Sequence, residues 1–374
     1  MPDKRPCIPD ALPIENIERQ KLAQPIESAL LELGRFDGVL SAMINPRVLL
    51  SPLTQNEAVL SSKIEGTQVS LTEVLEYEAH KPQGEGKEND IREVINYRHA
   101  LQGAEESVGK NGKITLHLIR QLHKRLMQDV RGGDQKPGHF RKTQNWIGKK
   151  GDPMEKARFI PPDPGIMRDH LENWVKFMNS PYRSPLVQLA FIHAQFEIIH
   201  PFDDGNGRLG RMLVPLFMYQ KGLLRQPVFY ISEYLSDNDR EYRDRLLAIT
   251  EKGDWSGWLL FFLTAILEQT KANNDKASKM LDLYEDRKEK FRESTRSQFS
   301  QAALDAFFQS PILNSTKFME LSGIEIRPTA YNILRQLEKA SLIRQEEAGS
   351  GRRPAVYVLP ELIAITEGIG KTLV

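Results

Sequence analysis

The stretch that decides the fold runs from His200 to Arg211 and reads HPFDDGNGRLGR. Apolar residues at helical spacing precede it from Leu186 to Ile199 and follow it from Leu213 to Gly222. Glycine and aspartate are concentrated between these two apolar segments, where they favour a turn. The pattern therefore predicts two helices joined by a tight polar turn, within a mainly α fold.

The residue types in this turn suit the binding of phosphate groups. Gly205-Asn206-Gly207 opens the second helix, so its backbone N–H groups lack intrahelical partners and can bind an anion, aided by the helix dipole. Arg208 and Arg211 are three residues apart and can both project from the first turn. Guanidinium groups fit phosphate oxygens well. The start of this helix is therefore a candidate anion site.

Two more residues of the turn add metal and proton chemistry. Asp204 is a hard oxygen ligand beside the anion site, where Mg²⁺ could bridge it to phosphates. His200 can lose its proton near neutral pH and serve as a general base. A base for an attacking hydroxyl, a metal and an electrostatic cradle together indicate in-line nucleotidyl or phosphoryl transfer.

The whole stretch resembles the core motif of Fic-domain proteins, H-x-F-x-[DE]-G-N-G-R-x-x-R, at every defined position. The resemblance extends over about residues 50 to 265 and implies transfer of AMP from ATP to a Ser, Thr or Tyr hydroxyl of a target protein. It also implies that His200 is the base, that Asp204 binds Mg²⁺ and that Phe202 is a buried anchor. The implied ATP and phosphate ligands are Gly205, Asn206, Gly207, Arg208, Leu209, Gly210 and Arg211.

A second motif lies far upstream, in the segment Ser61-Ser62-Lys63-Ile64-Glu65-Gly66. Ser61 and Glu65 are four residues apart and share a helical face. From the residues alone, this could be a solvated polar face near a helix end. The segment also resembles the Fic inhibitory motif, [ST]-x-x-x-E-[GN]. That resemblance implies that Glu65 pairs with Arg211 and keeps it away from the γ-phosphate of ATP.

Other segments are candidates for target and nucleotide binding. Asn145–Gly148 and Ala157–Ile160 flank a loop and predict a β-hairpin. The resemblance implies a flap that aligns the target, and the alternative is a structural hairpin packed on the helices. Tyr242 is either a residue that stacks on the adenine or a packing tyrosine. His193 is expected to be a core histidine, and His123 to lie at the surface or partly buried.

Composition divides the chain into four parts. Residues 1–50 predict an N-terminal arm and helix, and residues 51–268 a Fic domain whose inhibitory helix lies near 54–66. Residues 269–298 are highly charged and predict a helical linker. Residues 299–374 contain three helix candidates and a two-stranded wing, a pattern that resembles a winged-helix domain.

The C-terminal part has two open interpretations. Its arginines could meet DNA phosphates, but glutamates offset them, and the same fold serves as a protein-interaction or dimerisation module. The arginines concerned are Arg327, Arg335, Arg344, Arg352 and Arg353.

The remaining features limit the class of protein. The net charge is +1, and the single cysteine excludes an internal disulfide framework and fits a reducing compartment. The start of the chain lacks a signal-peptide pattern, and no apolar run is long enough to span a membrane, so a cytoplasmic location is expected.

Two alternatives to AMP transfer from ATP stay open. The first is a Fic enzyme that uses another phosphate donor or removes AMP. The second is a DNA-binding regulator that uses the Fic fold as a nucleotide sensor, although the complete motif argues against this as the whole function. Self-modification and a homodimer are also open.

Overall fold

A computed structural model describes residues 5–80, 87–130, 136–148, 151, 153–350 and 353–368. These residues are mainly helical with one small sheet, which confirms the mainly α class predicted from sequence. No described helix is both long enough and apolar enough to cross a lipid bilayer.

The first nine helices include the two that flank the His200–Arg211 turn. Their bounds are α1 Arg19–Ala42, α2 Pro46–Leu49, α3 Ser51–Ile64, α4 Leu71–His80, α5 Glu88–Asn111, α6 Leu116–Leu126, α7 Pro164–Asn179, α8 Pro185–Ile199 and α9 Asn206–Gln220.

The later elements include all three strands. They are α10 Ser232–Asp237, α11 Asp239–Lys252, α12 Trp255–Thr295, α13 Ser300–Gln309, β1 Ile312–Asn314, α14 Ser315–Ser322, α15 Arg327–Lys339, β2 Arg344–Glu347, β3 Val356–Val358 and α16 Pro360–Glu367.

Two compact units divide the chain. Unit 1 comprises Met1–Gly34, Leu60–Gly66 and Asn96–Thr270, and unit 2 comprises Arg35–Val59, Thr67–Ile95 and Lys271–Val374. The His200–Arg211 turn and the segment after α3 that carries Glu65 both belong to unit 1. The four-part division inferred from composition stays a prediction.

Helix α8 forms the centre of unit 1 and explains why its sequence is apolar all round. Almost all of its side chains are buried, as expected for a helix covered on every face. Two tryptophan indole N–H groups donate to its backbone: Trp174 to the Ile192 carbonyl at 2.8 Å and Trp258 to the Ala190 carbonyl at 2.9 Å. The turn after α8 therefore starts from a firmly held helix end.

Helix α12 is longer than the sequence analysis predicted. The predicted buried helix and the predicted charged linker form one continuous helix, Trp255–Thr295. No glycine or proline interrupts the chain from Trp258 to Thr295, so nothing in the sequence ends the helix between the two halves.

Unit 2 contains the three predicted C-terminal helices and the predicted pair of strands. The strands β2 and β3 pair antiparallel, and β3 also pairs antiparallel with β1, giving the order β1-β3-β2. The sequence analysis missed β1, because three residues are too few to show alternation. Arg352 lies outside the described residues. The winged-helix assignment stays a prediction.

The predicted hairpin is shorter than expected. Ile147 and Phe159 form one antiparallel bridge, with the Ile147 N–H donating to the Phe159 carbonyl at 2.8 Å. Between them, Met154–Lys156 forms a 3₁₀ turn. Prolines at 153, 161 and 162 lack the N–H that a longer ladder needs, which accounts for a bridge instead of two strands.

Candidate active site

Local hydrogen bonds close the turn between α8 and α9. The Asn206 side chain is buried and bonds both backbone groups of Phe202: its Oδ1 accepts from the N–H at 2.9 Å, and its Nδ2 donates to the carbonyl at 2.8 Å. Gly205 has a φ of 77°, in the left-handed region that glycine adopts without steric cost. Asn206 therefore fixes the turn with its side chain, and only its backbone can contribute to anion binding.

His123 supports the turn from α6, which corrects the expectation that it lies at the surface or is only partly buried. Its ring is buried and stacks on Phe202, with 3.8 Å between centroids. Because Nδ1 accepts from the Gly138 N–H at 2.8 Å, Nε2 must carry the proton and donate to the Asp204 carbonyl at 2.9 Å. Burial lowers the pKa of His123 to about 4. A neutral histidine thus holds both Phe202 and Asp204.

His200 ends α8 in a constrained conformation. Its φ of 47° is unusual for a residue with a side chain. Arg141 steadies this backbone, because its Nε donates to the His200 carbonyl at 2.9 Å and its own N–H donates to the Pro201 carbonyl at 3.0 Å. Arg141 is itself buried. The position of the His200 ring is therefore set by a residue that the sequence analysis did not select.

The protonation state of His200 suits a base. Its Nδ1 lies 3.3 Å from the Glu197 carbonyl and donates to it, which leaves the lone pair on Nε2. Burial lowers the pKa of His200 to about 4. The imidazole is therefore neutral near pH 7 and can accept a proton through Nε2.

The start of α9 faces a carboxylate. A Cβ added to Gly207 would lie 2.1 Å from Glu65 Oε1, so this oxygen packs directly against the Gly207 backbone. No hydrogen bond within the described residues uses the Gly207 N–H, as expected in the first turn of a helix. Glu65 thus occupies the place where the sequence predicts an anion.

Arg211 is bound by the same segment that carries Glu65. Its Nη2 donates to Glu65 Oε1 at 2.6 Å and to the Ser61 carbonyl at 2.7 Å, and its Nε donates to Ser61 Oγ at 2.9 Å. Arg211 is 1% exposed. Burial alone would raise the pKa of Glu65, but the Arg211 guanidinium outweighs it and the pKa is lowered. The pair is therefore ionised at neutral pH.

A carboxylate suitable for a metal lies at the other side of the turn. The Asp204 side chain is 49% exposed, and its Oδ1 accepts from the Gly205 N–H at 2.5 Å and lies 3.6 Å from Arg208 Nη2. Among the described residues, no group of three or more aspartate, glutamate, histidine or cysteine side chains is arranged to hold a metal ion. One carboxylate fits Mg²⁺ only when phosphate oxygens and waters supply the other ligands, which is common for Mg²⁺.

Tyr242 is mostly packed. Its hydroxyl donates to His193 Nε2 at 2.9 Å, and His193 Nδ1 in turn donates to the Gly210 carbonyl at 3.3 Å. His193 is therefore a core histidine with structural hydrogen bonds, as the sequence predicted. Tyr242 is 4% exposed and still borders the cavity, so its stacking on a base stays a prediction.

A cavity of about 400 Å³ joins these groups within unit 1. Its lining includes His200, Gly207 and Arg211 together with the bridge residues Ile147 and Phe159 and apolar residues of α11. The cavity therefore brings a base and an anion site together with apolar side chains and the bridge segment.

The sequence analysis did not select Arg141, Glu197 or Arg243 for this site. It named His123 but did not predict that this residue contacts the turn. His123 follows the apolar spacing of Ile119, Leu122 and Leu126, so the pattern did contain a signal for its burial. Arg243 donates to the Ile64 carbonyl at 2.9 Å and so holds the end of α3. No local pattern marks such a long-range contact.

Comparisons with protein families agree with the motif. Residues 113–218 match the Fic/DOC family, and residues 23–106 match the N-terminal region of the Fic/DOC family. The first match contains the whole turn, and the second contains Glu65. The chain therefore carries a Fic N-terminal domain followed by a Fic domain.

Curated relatives include a probable protein adenylyltransferase of Aquifex aeolicus, 30% identical over 208 residues that cover 54% of this chain and 59% of that protein. The protein adenylyltransferase Fic of Aedes aegypti is 28% identical over 220 residues that cover 54% of this chain and 41% of that protein. The chain thus aligns with less than two thirds of each relative.

Solved structures share the fold. A Fic family protein from Desulfovibrio desulfuricans has a TM-score of 0.56 at 19% identity, covering 95% of this chain and 98% of that one. Fic-1 from C. elegans has a TM-score of 0.51 at 18% identity, covering 71% and 75% of the two chains. At these identities the likeness concerns the fold alone.

Proposed function

We propose that this protein is a protein adenylyltransferase that Glu65 holds in check. The observation that carries the proposal is the Glu65 carboxylate, which lies against Gly207 and pairs with Arg211 at 2.6 Å. An anionic side chain already occupies the anion site, beside a neutral His200. The naming of the relatives as adenylyltransferases supports the same class of reaction.

In the proposed reaction, a Ser, Thr or Tyr hydroxyl of a target protein attacks the α-phosphorus of ATP. A new bond forms between that oxygen and phosphorus, the bond from phosphorus to the β-bridging oxygen breaks, and pyrophosphate leaves. His200 Nε2 accepts the hydroxyl proton. Its low pKa keeps this nitrogen unprotonated and ready, while Arg141 holds the backbone that carries it.

The charge of the phosphates would be met by the start of α9. The free N–H groups of the first turn and the guanidinium groups of Arg208 and Arg211 supply a preorganised positive field. Asp204 would hold Mg²⁺, which when bound neutralises phosphate charge. The bridge segment at Ile147 and Phe159 borders the same cavity, where it would align an extended target segment.

Inhibition follows from competition for one site. The γ-phosphate and the Glu65 carboxylate are both anions that need Arg211 and the first turn of α9. Both cannot occupy the site, because like charges in a partly enclosed cavity repel strongly. Glu65 would therefore weaken ATP binding or prevent the productive placement of the triphosphate.

The test is label transfer with Mg²⁺ from ATP carrying either an α-phosphate or a γ-phosphate label, onto the protein itself and onto a cell lysate. We expect α-label transfer to rise at least tenfold in Glu65→Gly and to disappear when His200→Ala is added. Transfer of the γ-label instead would show phosphoryl transfer. Absence of transfer of either label in Glu65→Gly would refute the proposal.

Lys63→Gly is the matched control. Lys63 is exposed and lies in the last turn of α3, two residues before Glu65, so a glycine there loosens the helix end that leads to Glu65. It leaves the contact with Arg211 intact. Activation by Lys63→Gly would mean that loosening of the helix, and not loss of the Glu65 carboxylate, releases the enzyme.

A further inference from the structure

A second glutamate borders the cavity. Glu197 lies on α8, three residues before His200, and is half-buried. Its Oε1 is shielded from solvent, and no hydrogen bond or ion pair with a described residue engages it. A buried carboxyl oxygen without a partner is costly, so its presence in the wall of a candidate active site requires an explanation.

The turn leaves a specific space for this carboxyl. A Cβ added to Gly210 would lie 2.1 Å from Glu197 Oε1 and 3.3 Å from its Cδ. Gly210 stands at a position where the Fic core motif specifies no residue. The missing side chain at Gly210 therefore leaves room for the Glu197 carboxyl, one helical turn from the base and in the same cavity lining as Arg211.

Charged groups of three other segments act on Glu197. Glu65, in the turn after α3, repels its ionised form, whereas Arg211 on α9 and Arg243 on α11 favour that form. Tyr242 on α11 also interacts electrostatically with Glu197. His200, three residues after Glu197 in the sequence, borders the same cavity. Burial is the largest influence and, together with Glu65, raises the pKa of Glu197 to about 7.

Arg211 requires a carboxylate partner in both states of the site. With Glu65 in place, the guanidinium is compensated and Glu197 Oε1 has no hydrogen-bond partner among the described residues. If the Glu65 side chain leaves, a guanidinium that is 1% exposed loses its only ion-pair partner among the described residues. An uncompensated buried charge is strongly unfavourable.

We propose that Glu197 is the second carboxylate partner of Arg211: it takes over the guanidinium when Glu65 withdraws and positions it for phosphate. Since the proposed function assigns phosphate binding to Arg211, the inference rests on that function. Glu197 then holds a proton while Glu65 is bound and loses it on release. Release of Glu65 is thereby coupled to pH.

The release of Glu65 depends on pH in a definite direction. In the inhibited state Glu197 keeps its proton up to about pH 7, whereas in the released state Arg211 lowers its pKa. The inhibited state therefore binds more protons, and raising the pH up to about 7 favours release. One proton gives at most about a tenfold change per pH unit.

The first experiment needs neither ATP nor catalysis. Thermal unfolding midpoints at pH 8 are compared for the wild type, Glu197→Gln, Glu65→Gly and the double variant. With Glu65 present, Glu197→Gln removes a poorly placed charge and should raise the midpoint by roughly 2 °C. Without Glu65, it removes the partner of Arg211 and should lower the midpoint. If Glu197→Gln shifts the unfolding midpoint in the same direction with and without Glu65, the inference is overturned.

The second experiment measures the dissociation constant of Mg²⁺-ATP for the same four proteins from pH 6 to pH 8. The ratio of the wild-type constant to that of Glu65→Gly cancels the titration of ATP itself. It should fall about tenfold over this range, and the corresponding ratio in the Glu197→Gln background should stay constant within about twofold. An equal fall in both backgrounds would overturn the inference.

Gly210→Ala provides a variant that keeps the charge. The added methyl group displaces the Glu197 carboxyl from its seat, so the pH dependence of the ratio should be lost as in Glu197→Gln. If Glu65→Gly binds no ATP, the proposed function fails, and the unfolding cycle still decides whether Glu197 replaces Glu65 at Arg211.

Discussion

The catalytic turn and the inhibitory contact meet at Arg211 but are built in different ways. The turn is closed by neighbours in sequence, because Asn206 bonds Phe202 and Asp204 bonds Gly205. The inhibitory contact joins Arg211 to Ser61 and Glu65, which are 150 and 146 positions away. The difference indicates that the inhibitory contact can open while the catalytic turn keeps its geometry.

The largest expected effect comes from breaking the turn itself. Asn206→Ala removes two hydrogen bonds and leaves both buried backbone groups of Phe202 with fewer partners. We expect the free energy of unfolding to drop by about 2–4 kcal/mol, and label transfer in the Glu65→Gly background to disappear. Chemical denaturation and the transfer assay measure the two quantities.

Asn145→Ala is the control for that substitution. Among the described residues, Asn145 Nδ2 donates only to the Phe202 carbonyl, at 3.2 Å, so its removal leaves the Asn206 bonds in place. We expect a smaller loss of stability, about 1 kcal/mol, and measurable transfer. Equal effects of the two substitutions would show that Asn206 has no special role in closing the turn.

The next largest effect is a loss of folding stability at acid pH, which arises from buried histidines and not from the inhibitory ion pair. The pKa values of His123 and His193 are lowered to about 4 and about 3 because both rings are buried, so the unfolded chain binds protons first as the pH falls below about 6.5. Stability therefore falls with falling pH, by about 2 kcal/mol for each ring at pH 5. The lowered pKa of Glu65 keeps the inhibitory pair ionised in the same range.

His123→Phe tests this assignment, because a phenyl ring can keep the stacking on Phe202 and does not titrate. Denaturation at pH 7 and pH 5 should show a smaller loss of stability at pH 5 in the variant than in the wild type. An unchanged pH dependence would mean that His123 does not contribute to it.

A smaller effect is expected from one hydrogen bond of the inhibitory contact. Ser61→Ala removes the hydroxyl that accepts from Arg211 Nε and leaves both the Ser61 carbonyl and Glu65 in place. We expect ATP binding to tighten about fivefold, which corresponds to about 1 kcal/mol. Calorimetric titration with Mg²⁺-ATP measures it.

Ser62→Ala is the control on the neighbouring residue. The Ser62 hydroxyl is also buried but has no hydrogen-bond partner among the described residues. Its removal should leave the ATP affinity unchanged. A gain as large as that of Ser61→Ala would point to a general loosening of α3.

The smallest effect should come from the rim of the cavity. Arg158 and Asp244 form an ion pair at 2.5 Å between the bridge segment and α11, but their side chains are 42% and 55% exposed. Exposed pairs contribute little, so Arg158→Ala should change ATP affinity by no more than about twofold. A tenfold change would show that this pair controls access to the cavity.

Much of the fold was predictable because its signals are local. Helices α8 and α9 and the turn between them follow from apolar spacing and glycine placement. The join of α12 across its apolar and charged halves, and the strand β1, were not predicted. In α12, the change from apolar to charged residues predicts a domain boundary, but no glycine or proline there ends the helix.

The sequence by itself marked the catalytic turn, since the Asn206 and Asp204 side-chain bonds that close it join residues within the twelve-residue motif. It also marked Glu65, through a resemblance and not through geometry. Only the tertiary structure decided that Glu65 occupies the start of α9, that Arg141 and His123 hold the turn, and that Gly210 seats Glu197. Those contacts join residues distant along the chain, and packing and charge in a shared cavity bring them together without any local pattern.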